Sequence, residues 1–97
     1  MSTDAPSYDW CIAPSETLKE WMEDNGVPPR LIAAVHGRAR HAEALSLVTE
    51  VLDRKPLTEA HAAALERGTF IPARFWLALE RNYRAGLAAG LTDASDT

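Results

Sequence analysis

An all-α fold of five helices follows from three features of the 97-residue chain. Apolar residues recur at three- and four-residue spacing through five separate stretches, proline and glycine punctuate the gaps between them, and no stretch alternates apolar and polar residues with the period of a strand. No internal repeat interrupts this pattern. A chain of this length buries one modest core, so it is expected to form a single domain.

The first helix opens at Pro14-Ser15, with Ser15 as the expected cap. Leu18, Trp21 and Met22 at i, i+3 and i+4 give it one apolar stripe, and Asn25-Gly26 ends it. Pro28-Pro29 suits a first helical turn, where a missing N–H costs nothing. A short second helix is therefore expected through Leu31, Ile32 and Val35 to His36, stopped by Gly37. Arg38 to His41 is polar. Ala42, Leu45, Val48 and Leu52 then mark the apolar side of a third helix, with Glu43, Ser46, Thr49 and Glu50 on its polar side, until Asp53-Arg54-Lys55-Pro56 breaks the pattern. Thr58 caps a fourth helix with Glu59 in its first turn, alanine-rich through Ala64-Leu65 and closed by Gly68. Pro72 opens the fifth, on which Phe75, Trp76, Leu79, Tyr83 and Leu87 form a broad apolar face. Residues 1–8 and 92–97 are polar and read as flexible ends around a domain spanning 9–91.

With 46% hydrophobic and 25% charged residues the composition is that of an ordinary globular protein. No aliphatic run approaches the length of a membrane span, no secretory leader opens the chain, and a lone Cys11 has no disulfide partner, so the cytoplasm is the expected compartment. The net charge of −4 argues against a protein that coats nucleic acid by charge alone. The charge is uneven, however: residues 1–29 hold six acids against one base, whereas residues 30–55 hold five bases against three acids. His36 and His41 do not share a helical face and His61 lies on another helix, so no metal site is expected. No nucleophile, base and orienting group can be assembled and no glycine-rich phosphate loop is present; neither an enzyme nor a cofactor is expected.

Three stretches carry a more specific signal. Asp9-Trp10-Cys11-Ile12-Ala13-Pro14-Ser15-Glu16-Thr17-Leu18 sets an aromatic and aliphatic lead-in before a Pro-x-Glu-x-Leu helix start. Gly26-Val27-Pro28-Pro29-Arg30-Leu31-Ile32-Ala33 enters the second helix, and Phe75-Trp76-Leu77-Ala78-Leu79-Glu80-Arg81-Asn82-Tyr83 closes the pattern. Together, over residues 9–84, they resemble the XRE/HigA-type helix-turn-helix family of regulators and antitoxins. That resemblance implies a lambda-repressor-like five-helix domain, usually dimeric, that represses transcription, often beside a toxin it neutralises, with relatives in phages. The chain departs from the family at Pro29, where a polar residue is usual, and between Gly37 and the third helix, where the connection is longer. The sequence leaves residues 38–42 open between loop and helix.

A helix-turn-helix presents the early side chains of its second helix to base edges in the major groove while flanking bases hold phosphates. The resemblance and the local charge thus assign Arg38, Arg40, His41, Ser46 and Thr49 to base edges, and Arg30, Arg54 and Lys55 to phosphates. Arginine can bind guanine through two hydrogen bonds, and serine or threonine can serve any base. Phe75, Trp76, Leu79, Tyr83 and Leu87 are expected to form core and, in part, the interface of a homodimer matched to a palindromic operator. Double-stranded DNA and a second copy are the expected partners. The alternative is an antitoxin or degenerate helix-turn-helix module whose main role is to bind a protein partner, a reading that the net acidity and Pro29 favour.

Overall fold

The computed structural model describes residues 10–93. The fold is all-α: helices α1 (Pro14–Asn25), α2 (Pro29–Ala34), α3 (His41–Leu52), α4 (Glu59–Thr69) and α5 (Ala73–Ala88), with a 3-10 turn at Arg38–Arg40 leading into α3. Two-residue strands β1 (Trp10–Cys11) and β2 (Thr92–Asp93) pair in parallel, Trp10 against Thr92 and Cys11 against Asp93. Of the ends expected to be flexible, 1–8 and 92–97, residues 1–8 and 94–97 lie outside the described residues, while Thr92 and Asp93 are held in the pairing with β1.

Every helix contributes to one core. Leu18 of α1, Ile32 of α2, Val48 and Val51 of α3, Ala62 and Leu65 of α4 and Trp76 of α5 meet there, joined by Leu57 from the α3–α4 connection. Trp21 and Met22 flank Leu18 on the predicted stripe of α1 and pack against the same cluster. The close-packed centre fixes the helices relative to one another, since burial of side chains of this size contributes about 1.5–3 kcal/mol each.

Four local readings are corrected. Ser15 does not cap α1: Ala13 is the N-cap, Pro14 is the first helical residue, and Ser15 is buried in the first turn. Proline lacks an N–H and has its φ preset for a helix, so it starts the helix itself. α2 ends at Ala34, two residues before His36, which lies in the following turn. The buried side of α3 is centred on Ala44, Val48 and Val51; of the expected stripe Val48 is buried, Leu45 and Leu52 are half-buried and Ala42 is exposed. This is a rotation of roughly a quarter turn, because α3 packs against α1, α2 and α4 at once. Gly68 does not close α4. The helix runs to Thr69 and Phe70 takes the left-handed cap at φ 66°.

Gly68 has a different use. A Cβ built at that position would lie 2.3 Å from Ile32 Cγ2 and 3.0 Å from the Ile32 carbonyl oxygen. Only glycine lets α4 approach α2 this closely, and that approach sets the position of α2 ahead of the turn into α3.

Candidate nucleic-acid interface

The segment between α2 and α3 is short-range hydrogen-bonded throughout. The His36 and Gly37 amides donate to the Ala33 and Ala34 carbonyls at 3.1 Å each. Gly37 then turns at φ 87°, a backbone region that L side chains rarely adopt. The Arg40 amide donates to the Gly37 carbonyl at 3.2 Å, and α3 begins at His41. Residues 38–42 are thus helical in two forms, a 3-10 turn continued by the first residues of α3. His36 closes the turn from below: its Nε2 is 3.1 Å from the Ala64 carbonyl oxygen, which can only accept, so Nε2 carries the proton.

The other end of α3 is equally defined. The Arg54 amide donates to the Val51 carbonyl and the Lys55 amide to the Glu50 carbonyl, both at 3.0 Å, with Arg54 at φ 64°. These are the two bonds of a Schellman cap, formed here around an arginine where glycine is the usual residue. Left-handed geometry costs a non-glycine residue about 1–2 kcal/mol. The Arg54 carbonyl also accepts from an Arg84 guanidinium nitrogen at 3.4 Å, which ties the cap to α5.

Between these ends the 12 residues of α3 contain no lysine or arginine and two acids, Glu43 and Glu50. With Ala44, Val48 and Val51 buried, the opposite side of the helix presents Ala42, Ser46, Thr49 and Asp53, all exposed. Thr49 Oγ1 donates to the Leu45 carbonyl at 2.8 Å, which leaves its oxygen able to accept. The two acids within α3 lie to one side of that face, toward α4, while Asp53 stands on the face at its C-terminal end. Glu50 Oε1 is 2.7 Å from Nε2 of the buried His61, and Glu43 borders a groove between α3 and α4.

His61 is a residue whose role sequence reasoning missed. Its Nδ1 accepts the Thr58 amide at 2.9 Å, completing the cap of α4, while Nε2 reaches Glu50. Since Nδ1 is an acceptor, the neutral ring carries its proton on Nε2 and donates it to the carboxylate. The His at the third position of a capping box, where glutamate or glutamine is usual, was the available signal. One side chain caps α4 and holds Glu50 of α3 away from the outward face.

The structure therefore sorts the sequence-derived set into three places. Arg38, Arg40 and His41 stand at the N-terminal end of α3, with both arginines exposed and His41 half-buried. Ser46 and Thr49 lie on its outward face. Arg54 and Lys55 sit at the C-terminal end, about 18 Å along the helix axis, with Lys55 exposed and Arg54 half-buried. Arg30 is exposed near the start of α2. Among the described residues Arg30, Arg38, Arg40 and Lys55 form no ion pair.

The groove beside this face, about 670 Å³ in volume, has a floor of Ala44, Leu47, Ala60, Ala63 and Ala64 and a rim of His36, Arg40, Glu43 and Arg67. The residues assigned to a dimer interface are divided. Trp76 and Tyr83 are taken up by the chain's own core, Leu79 and Leu87 are half-buried, and Phe75 is 46% exposed with its ring edge-on to Trp76. No group of three or more histidine, cysteine, aspartate or glutamate side chains that could hold a metal ion occurs among the described residues. Among the described residues no helix is long and apolar enough to cross a membrane. No family model, curated protein or solved structure matches the chain.

Proposed function

We propose that this chain is a sequence-specific DNA-binding regulator of the helix-turn-helix type, acting as a dimer on a palindromic operator. The observation that carries the reading is the outward face of α3: small, exposed and polar at Ser46 and Thr49, with Arg38 and Arg40, which form no ion pair among the described residues, at one end and Arg54 and Lys55 at the other. Small side chains let a helix backbone sit deep in a major groove, and Arg38 and Arg40 have the reach to pair with guanine edges. Arg30, Arg54 and Lys55 serve as phosphate contacts that fix register. Of the three acids in this segment, Glu50 is drawn to His61 and Glu43 faces the α4 side, which leaves Asp53, next to Arg54 and Lys55, as the one carboxylate on the face.

Binding to an arbitrary labelled duplex, followed by anisotropy as salt is raised, tests the electrostatic half of the reading. Three phosphate contacts predict a log–log slope of about −3 per protomer, and Lys55→Ala reduces its magnitude by about 0.9. Absence of binding at about 50 mM salt, where counterion release still strongly favours association, contradicts it. The second reading, an antitoxin or other module that binds a protein partner, draws on the open alanine-floored groove between α3 and α4 and gains from that negative result.

A further inference from the structure

Phe70 is out of place by two independent measures. It is 86% exposed, and it holds the left-handed cap of α4 at φ 66°, a geometry in which glycine would be unstrained. The glycine of this segment is at position 68, required there by Ile32, so the cap falls to a residue that has neither conformational freedom nor cover. Its neighbours are anchored. Thr69 is buried, its Oγ1 donates to the Leu65 carbonyl at 2.7 Å and accepts the Ile71 amide at 3.1 Å, and Ile71 packs against the core. Glu66 Oε1 accepts the Ala73 amide at 3.3 Å across the same connection. The ring of Phe70 is thus presented on a fixed backbone, so that seating it on a partner orders little further chain.

Phe70 does not stand alone. Leu31 of α2 and Val35, the cap residue that follows the helix, are four residues apart and 50% and 48% exposed. Val35 and Phe70 share a shallow recess of about 470 Å³ with Glu66 and Arg67. The patch therefore carries a projecting aromatic ring and a shallow recess walled by that ring, Val35, one acid and one base. We infer that this surface is the contact between two copies of the chain, related by a twofold axis, with Phe70 of each copy seated against Val35 of the other. An interface of this symmetry must be complementary to itself. A ring with its own recess meets that condition, as do Glu66 and Arg67, each of which faces the opposite charge when the patch is rotated onto itself.

The size of the patch sets the strength of the association. Its exposed apolar area is on the order of a few hundred Å², short of the roughly 800 Å² per partner of a standard stable interface. A weak, concentration-dependent dimer is expected, with a central aromatic anchor contributing most of the affinity. The inference does not depend on DNA binding, and its test uses no DNA.

Sedimentation equilibrium of the full chain from about 10 µM to about 1 mM, the range that an interface of this size implies, reads the result directly. The wild type should move from 10.6 kDa toward twice that mass as concentration rises. Phe70→Gly should remain at 10.6 kDa throughout while melting no lower than the wild type, because glycine relieves the left-handed cap. Val35→Asp, a change at an exposed position, should likewise abolish association. A wild type that stays monomeric across the range, or a Phe70→Gly variant that dimerises as the wild type does, overturns the inference. The second result would place the contact elsewhere, with the half-exposed Phe75 of α5 the next surface to alter.

Discussion

Replacing Gly68 by alanine is expected to destabilise the fold by about 2–3 kcal/mol through overpacking, although alanine is favoured over glycine inside a helix by about 1 kcal/mol. The two effects have opposite signs, so the experiment decides between them. The added methyl would lie 2.3 Å from Ile32 Cγ2, and Ile32 is 1% exposed in the centre of the core, with no room to swing aside. The second contact, at 3.0 Å, is with the Ile32 backbone oxygen, so relief requires α2 itself to move. For a domain of this size the loss corresponds to a fall in Tm of about 10–20 °C. Thermal unfolding followed by circular dichroism measures it, and a variant as stable as the wild type would show that α2 and α4 are not packed as described. If the proposed reading holds, a partly folded variant also loses DNA binding, because the displaced helix precedes the turn into α3.

On the proposed reading, Arg38→Ala combined with Arg40→Ala is expected to weaken binding to a selected operator by at least about 30-fold, at about 1–3 kcal/mol of discrimination for each bidentate base contact. The fold should be unaffected, since both side chains are exposed and form no ion pair among the described residues, and surface changes of this kind stay within about 0.5 kcal/mol. Lys55→Ala serves as the contrast. A phosphate contact weakens binding to all sequences alike, whereas loss of base contacts narrows the gap between operator and random DNA. Unchanged operator affinity in the double variant, with its melting curve intact, removes Arg38 and Arg40 from the interface.

Most of the fold was legible because helix periodicity and proline or glycine punctuation are local. The five helices appear where Leu18, Ile32, Val48, Leu65 and Trp76 and their breakers place them. What was not legible depends on contacts across the chain. Gly68 reads as a helix stop by its identity and proves to be a close-packing residue, because Ile32 approaches it from α2. The apolar residues of α3 permit two adjacent faces, and only its three packed neighbours choose Ala44 and Val51 over Ala42 and Leu45. The αL caps at Arg54 and Phe70 could not be read from residue types that disfavour that geometry.

The candidate interface was legible in part. The concentration of bases in residues 30–55 located its two ends, Arg38 with Arg40 and Arg54 with Lys55. The direction of the acids was not readable from spacing alone: Glu50 is engaged by His61, a residue 11 positions away whose role emerges only when α3 and α4 pack. Exposure of Phe70 was likewise invisible, since an aromatic between Thr69 and Ile71 looks like core.

The central claim, that the outward face of α3 reads DNA sequence, is tested most directly by selection. The purified protein is mixed with sheared genomic and phage DNA at about physiological ionic strength, where much non-specific binding is suppressed by salt, and the retained fragments are sequenced. Enrichment of one motif with twofold symmetry is the predicted result. Retention of no sequence above background would contradict the claim and transfer the function to a protein partner.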